Sequence, residues 1–236
     1  MNMYKTSLKL KNKDVNYFRT LRTSRMMELF QEASIAHTEQ LGAGREKTLG
    51  RGLLWTVLQQ RAVIHRMPVY DEEIVVLSWP GDMKHVLFPR YYRLEDTEGN
   101  LLVEASALWI LIDSSARRMV FPEKYGVSVP GETTGMECDL PGIVRREETE
   151  EETQFTVPFS WCDLNRHMNN TRYYDLADDC LPLAVHEHAL SLLECEYISE
   201  IPYGTTVTVG WKQMGHAWYI AGSAEKPCFR MKIEYR

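Results

Sequence analysis

Residues 4–12 alternate apolar and polar, the two-residue period of a strand with one buried face. From residue 23 the period lengthens. Met26, Leu29, Phe30, Ala33 and Ala36 or His37 form one apolar stripe at helical spacing; Thr23 or Ser24 stands where a cap belongs, and Gly42 to Gly44 end the run. Four β-rich runs follow, at 53–64, 73–79, 86–94 and 101–112, punctuated by Pro80-Gly81 and by Thr97-Glu98-Gly99-Asn100. The last is apolar over most of its length, as a central strand is. Between about residues 129 and 152 the periodicity stops, and Pro-Gly pairs and the acidic run 147–152 read as a solvated connector. The order then repeats: a strand at 155–159, a polar loop, a helix at 173–181 stopped by Pro182, and strands at 191–198, 206–211, 218–224 and 229–235. This predicts an α+β chain of two similar halves, each an antiparallel sheet wrapped on one long helix, with a repeat of about 130–150 residues. The expected boundaries are 1–130 for the first half, 131–152 for the connector and 153–236 for the second.

The loop before the second helix concentrates the chemistry. Asp163, Asn165, His167 and Asn169 occupy alternate positions and Asn170 follows, so polar side chains arrive together at a helix N-terminus. A turn followed by a cap accounts for one Asn, here Asn169 or Asn170. It does not account for five polar groups with a histidine among them. Asp163 is a general base towards water or a nucleophile, Asn165 orients a water or a carbonyl, and His167 titrates near neutrality. Free backbone N–H groups by Asn169 and Asn170 suit a developing oxyanion. Strict alternation puts Glu194, Glu196 and Glu200 on one face of a strand, so by pattern alone Glu200 reads as a solvated strand end no better placed than Glu196. The first half has neither carboxylate nor histidine in its corresponding stretch, 17–23, and is expected to handle substrate rather than react.

Composition narrows the partners. With 236 residues, 44% hydrophobic and 25% charged, the chain reads as soluble and globular. No apolar run approaches the roughly 18 residues of a membrane span, and the N-terminus alternates instead of forming a signal core, so a cytoplasmic protein is expected. A net charge of −6 without a basic helix argues against nucleic acid. Five scattered cysteines and no Cys-x-x-Cys predict reduced thiols and no metal site; His186 and His188 lack the further ligands zinc needs. Cys162, beside Asp163, reads as a small core residue before it reads as a nucleophile.

The loop Asp163-x-Asn165-x-His167-x-Asn169-Asn170 with Tyr173 or Tyr174, and the strand Glu196-Tyr197-Ile198-Ser199-Glu200, resemble the catalytic loop and Glu-Tyr-x-x-Glu strand of the acyl-ACP thioesterases. In the first half 53–55, Pro68, 79–81, Arg90-Tyr91-Tyr92, 105–109 and Arg117-Arg118 resemble that family in order and rough spacing. Plant members carry a cysteine after the second carboxylate where this chain has Ile201, which shifts weight to carboxylate chemistry. The resemblance implies a double hotdog fold, hydrolysis of a fatty acyl thioester by activated water, and catalytic roles for Asp163, Asn165, His167 and Glu200. It implies acyl carrier protein as partner and no cofactor. Met26, Phe30, Trp55, Arg90 and Arg117 become candidates for substrate binding. Because acyl carrier protein is acidic, Lys84, His85, Arg90, Arg93, Arg117 and Arg118 become candidates for docking. An acyl-CoA thioesterase, or a non-catalytic acyl-binding protein, is the alternative, and a homodimer is open.

Overall fold

The computed structural model describes residues 3–236. Ten strands form one antiparallel sheet: β1 (Tyr4–Lys9), β2 (Leu53–Ile64), β3 (Glu73–Pro80), β4 (Phe88–Asp96), β5 (Leu101–Asp113), β6 (Glu151–Thr156), β7 (Leu190–Tyr197), β8 (Thr206–Met214), β9 (Ala217–Ser223) and β10 (Pro227–Tyr235). Their order is β1-β3-β4-β5-β2-β7-β10-β9-β8-β6. Read inward from either edge, the two halves have the same succession of elements, so the sheet has an internal two-fold relation. Its centre is the pairing of β2 with β7, from Gln59 opposite Glu196 to Val63 opposite Leu192.

Helices α1 (Thr23–Gln40) and α3 (Arg172–Cys180) pack on each other and share one core with both halves, while the four-residue α2 (Arg45–Thr48) leads into β2. The two halves therefore bury a common interior: Met26 and Phe30 of α1, Tyr173 and Leu176 of α3, and Leu193, Phe229 and Met231 of the sheet all belong to it. Arg172 of α3 reaches Glu28 of α1 at 3.1 Å.

The helix caps differ from expectation. Arg22, not Thr23 or Ser24, precedes α1 and gives no side-chain cap; both hydroxyl residues lie inside the first turn and are buried. The acidic connector is also neither wholly solvated nor wholly a connector. Glu151 and Glu152 already belong to β6, opposite Trp211 and Gly210. Upstream, Met136, Cys138 and Leu140 pack over Leu77, Trp79 and Tyr91, on the sheet face away from the helices. That face carries large apolar side chains, and the segment that crosses it removes them from water. The strand expected at 155–159 is accordingly shifted towards the N-terminus.

Candidate active site

Residues 162–168 form a tight loop closed by an isolated bridge between Cys162 and Met168, with the Asp163 N–H donating to His167 O at 3.0 Å. Arg166, at φ 69°, takes the left-handed turn that reverses the chain. Within it, Leu164 and Arg166 point to solvent while Asp163, Asn165 and His167 point inward. A second bridge, His167 to Pro202, holds the loop against the segment after β7.

That segment explains why alternation misplaced Glu200. Strand β7 ends at Tyr197, and the N–H groups of Ile198 and Ser199 both donate to Cys228 O, at 2.8 and 3.0 Å. The irregularity breaks the period of two. Glu194 and Glu196 stay on the sheet surface, each paired to an arginine, Arg61 and Arg230. Glu200 instead turns to the loop, where its Oε1 lies 3.3 Å from His167 Nε2 and 3.0 Å from Arg117 Nη1. Arg117 comes from the turn after β5, at φ 52°. Sequence gave no signal for this contact between residues 83 positions apart. Arg117, expected at the acyl chain or the docking surface, is here the partner of a carboxylate.

The electrostatics follow from the contacts. His167 Nδ1 lies 3.2 Å from Met168 O, and Nε2 faces Glu200, so both ring nitrogens look at acceptors and the imidazolium is favoured. Burial opposes the charge, but the Glu200 hydrogen bond with the charges of Asp163 and Glu200 outweighs it, and the His167 pKa is raised. The His167 hydrogen bond, against opposing burial and with help from the His167 and Arg117 charges, holds the Glu200 carboxyl below its ordinary value. Asp163 differs: Oδ1 accepts the Asn165 N–H at 2.8 Å, and no hydrogen bond engages Oδ2 among the described residues. Burial and the Asp163 charge push the Cys162 thiol up, which disfavours the reactive thiolate there.

The helix start is also built. Asn169 Oδ1 accepts from Thr171 N–H and Thr171 Oγ1, at 2.9 and 2.8 Å, and so ties the turn that leads into α3. Tyr197 OH lies 2.7 Å from Gln60 Oε1, 3.1 Å from Asn170 O and 3.2 Å from Tyr174 OH, which locks the turn to the core. The N–H of Asn170 has no acceptor among the described residues.

Asp163, Asn165, His167, Asn170 and Glu200 all line one cavity of about 110 Å³, with Trp55 on its wall. Asp163, Asn165, Asn170 and Trp55 also line a second cavity of about 200 Å³ running between α1 and the sheet. The α1 face in that cavity is Gln31, Ser34, Ile35, Thr38 and Glu39, a mostly polar stripe that the sequence reading did not single out. Met26 and Phe30 do not reach it; both are fully buried on the neighbouring stripe, packed into the shared core. Arg90 does line it, and being 4% exposed it is no docking residue.

Sequence models of the acyl-ACP thioesterase N-terminal and C-terminal domains match residues 1–124 and 144–235. The chain belongs to the acyl-ACP thioesterase family. Among curated members, a dodecanoyl-[acyl-carrier-protein] hydrolase of Cinnamomum camphora is 24% identical over 263 residues, covering 99% of this chain and 68% of that one. An acyl-[acyl-carrier-protein] hydrolase of Cuphea viscosissima is 23% identical over 215 residues, covering 84% and 52%. The chain spans about half the length of several of these relatives. Two solved members, an acyl-ACP thioesterase from Bacteroides thetaiotaomicron and the 12:0-ACP thioesterase from Umbellularia californica, superpose with TM-scores of 0.83 and 0.84 at 16% and 18% identity. Each alignment covers 100% of this chain and 98% of the other, and they establish the double hotdog fold.

Proposed function

We propose that the chain hydrolyses fatty acyl thioesters of acyl carrier protein to the free acid and the carrier thiol. The observation that carries this is the convergence of Asp163, Asn165, His167 and Glu200 on one cavity that shares its Asp163–Asn165 wall with a larger one. The larger cavity takes the acyl chain; Asp163, whose Oδ2 has no hydrogen-bond partner among the described residues, draws a proton from water as its oxygen attacks the thioester carbonyl. Asn165 orients that water, and the Asn170 N–H at the start of α3 receives the oxyanion. Collapse of the tetrahedral species breaks the carbon–sulfur bond, and the His167 imidazolium, held by Glu200, protonates the leaving thiolate. The proton on Asp163 then returns to the imidazole through solvent, closing the cycle. Arg117 positions Glu200.

Lys84, His85 and Arg118 are exposed and so available to an acidic carrier protein, whereas Arg93 is half-buried and lies against Glu95. All five cysteines are free thiols, which supports a reducing, cytoplasmic setting that cell fractionation tests.

The decisive experiment follows thiol release from a chain-length series of acyl-ACPs and the matching acyl-CoAs, with wild type beside Asp163→Asn. The expected result is turnover on acyl-ACP that falls about 100-fold or more in the variant. Preference for the CoA esters assigns the carrier differently, and bound ligand without thiol release from either overturns hydrolysis.

A further inference from the structure

The wall of the acyl cavity contains a charge that an alkyl chain cannot satisfy. On β4, Phe88, Arg90, Tyr92 and Leu94 alternate onto the sheet face that meets α1: Tyr92 stacks on Phe30 at 4.8 Å and meets Ser34 Oγ at 2.7 Å. Arg90 therefore projects into the space between helix and sheet that the cavity occupies, and it is one of the residues lining it. Its Nε donates to Ser78 Oγ at 2.8 Å, yet its Nη2 is buried without an acceptor, and no carboxylate pairs with it among the described residues. Burial, only partly offset by neighbouring Tyr92, lowers the guanidinium to about 10, so it still carries its charge at neutral pH. A buried unpaired cation is costly, and a guanidinium offers planar donors that fit oxygen acceptors.

Position says which part of a substrate would meet it. Arg90 lies opposite Ala107 of β5, and Ala107 opposite Gln60 of β2. Strands lie about 4.8 Å apart, so Arg90 stands roughly 10 Å across the sheet from β2. Leu54 and Trp55 of β2 line both cavities. Arg90 on β4 and Asp163 in the loop before α3 line the same cavity from different elements, so an acyl chain held there with its carbonyl at Asp163 also meets the guanidinium.

We propose that this cavity selects acyl chains bearing an oxygen acceptor away from the thioester, whether hydroxyl, keto or carboxylate, with the Arg90 guanidinium as its donor. The inference rests on the thioesterase reading and refines its substrate class.

The test compares wild type and Arg90→Met on acyl-ACPs of matched length, unsubstituted or carrying a hydroxyl, keto or terminal carboxyl group at stepped positions. Wild type is expected to favour at least one oxygenated chain over its unsubstituted match by about tenfold or more in kcat/KM, the scale of a hydrogen bond to a charged group. Arg90→Met should reverse the ratio, through a larger loss on the oxygenated chains than on their unsubstituted matches. Strongest preference for the carboxylated chain identifies an ion pair, and equal gains with hydroxyl and keto identify a neutral acceptor. The wild-type ratio needs no variant, so a misfolded Arg90→Met leaves the test standing. Hydrolysis of unsubstituted chains equally well or better at every oxygen position overturns the inference and leaves the thioesterase reading intact. No release from any chain overturns both.

Discussion

At the scale of single residues, the site is a charge arrangement before it is a set of reagents. Glu200 touches two groups that are cationic or favoured to be so, His167 and Arg117, and its carboxyl and the imidazole move in opposite directions. A carboxyl lowered in the folded state contributes stability above its unfolded value and loses it as pH falls through the folded one. A histidine raised in the folded state contributes fully below its unfolded value and loses that as pH rises through the folded one. Both contributions are complete together only between the ordinary carboxylate and imidazole values, about pH 4.3–6.5. The difference in Tm between wild type and Glu200→Gln should be greatest in that window and shrink on either side; a flat difference removes the ion pair from the stability of the fold. Arg117→Gln takes away one cation, so the acid limb of the pH–rate profile should move to higher pH. An unmoved limb with lowered kcat would make Arg117 merely structural.

At the scale of elements, side-chain size decides how close strands and rings approach. In β9, a Cβ at Gly222 would fall 2.1 Å from the Phe229 ring, which itself packs edge-on against Tyr173 of α3 at a centroid distance of 5.1 Å. Gly222→Ala must displace that ring, and overpacking of this kind costs about 1–3 kcal/mol. The expected reading is a Tm lowered by several degrees in thermal denaturation, and an unchanged Tm would mean that Phe229 has room to turn. Elements of this kind were largely legible from sequence, because period, strand length and turn residues are local. Asp163, Asn165 and His167 shared an inward face for the same reason: alternation holds within a short loop. By alternation alone Glu200 read as a solvated strand end, and only the family resemblance singled it out, because a strand period cannot report where hydrogen bonding to a distant carbonyl breaks it. Arg117 was invisible as its partner, since nothing local links the turn after β5 to the end of β7. Met26 and Phe30 were assigned to the substrate by apolarity, yet the most apolar stripe of an amphipathic helix goes to the core and the less apolar stripe beside it lines the cavity.

At the scale of the whole molecule, the two halves complete one another. Strands β2 and β7 pair across the centre, and one interior draws on α1, α3 and both half-sheets. Expressed alone, residues 1–130 would expose the paired edge of β2 and part of that interior; they should aggregate or remain unfolded by circular dichroism and gel filtration. Mixing with residues 131–236 should restore a heterodimer, whereas a stable, monomeric first half would show that the halves are independent. The two-fold relation also reaches the loops. Val15–Leu21 and Thr20–Val69 bridges mirror Cys162–Met168 and His167–Pro202, and Arg19 at φ 65° mirrors Arg166. By that register Asn16 stands for Asp163, Phe18 for Asn165, Thr20 for His167 and Met67 for Glu200. The backbone of a second site is kept and its reagents are gone. In an assembly of two identical chains, every substitution is written at both sites at once, so neither can specialise without the other. Joined in one chain, the two loops are separate texts, and changes that ruin one leave the other legible.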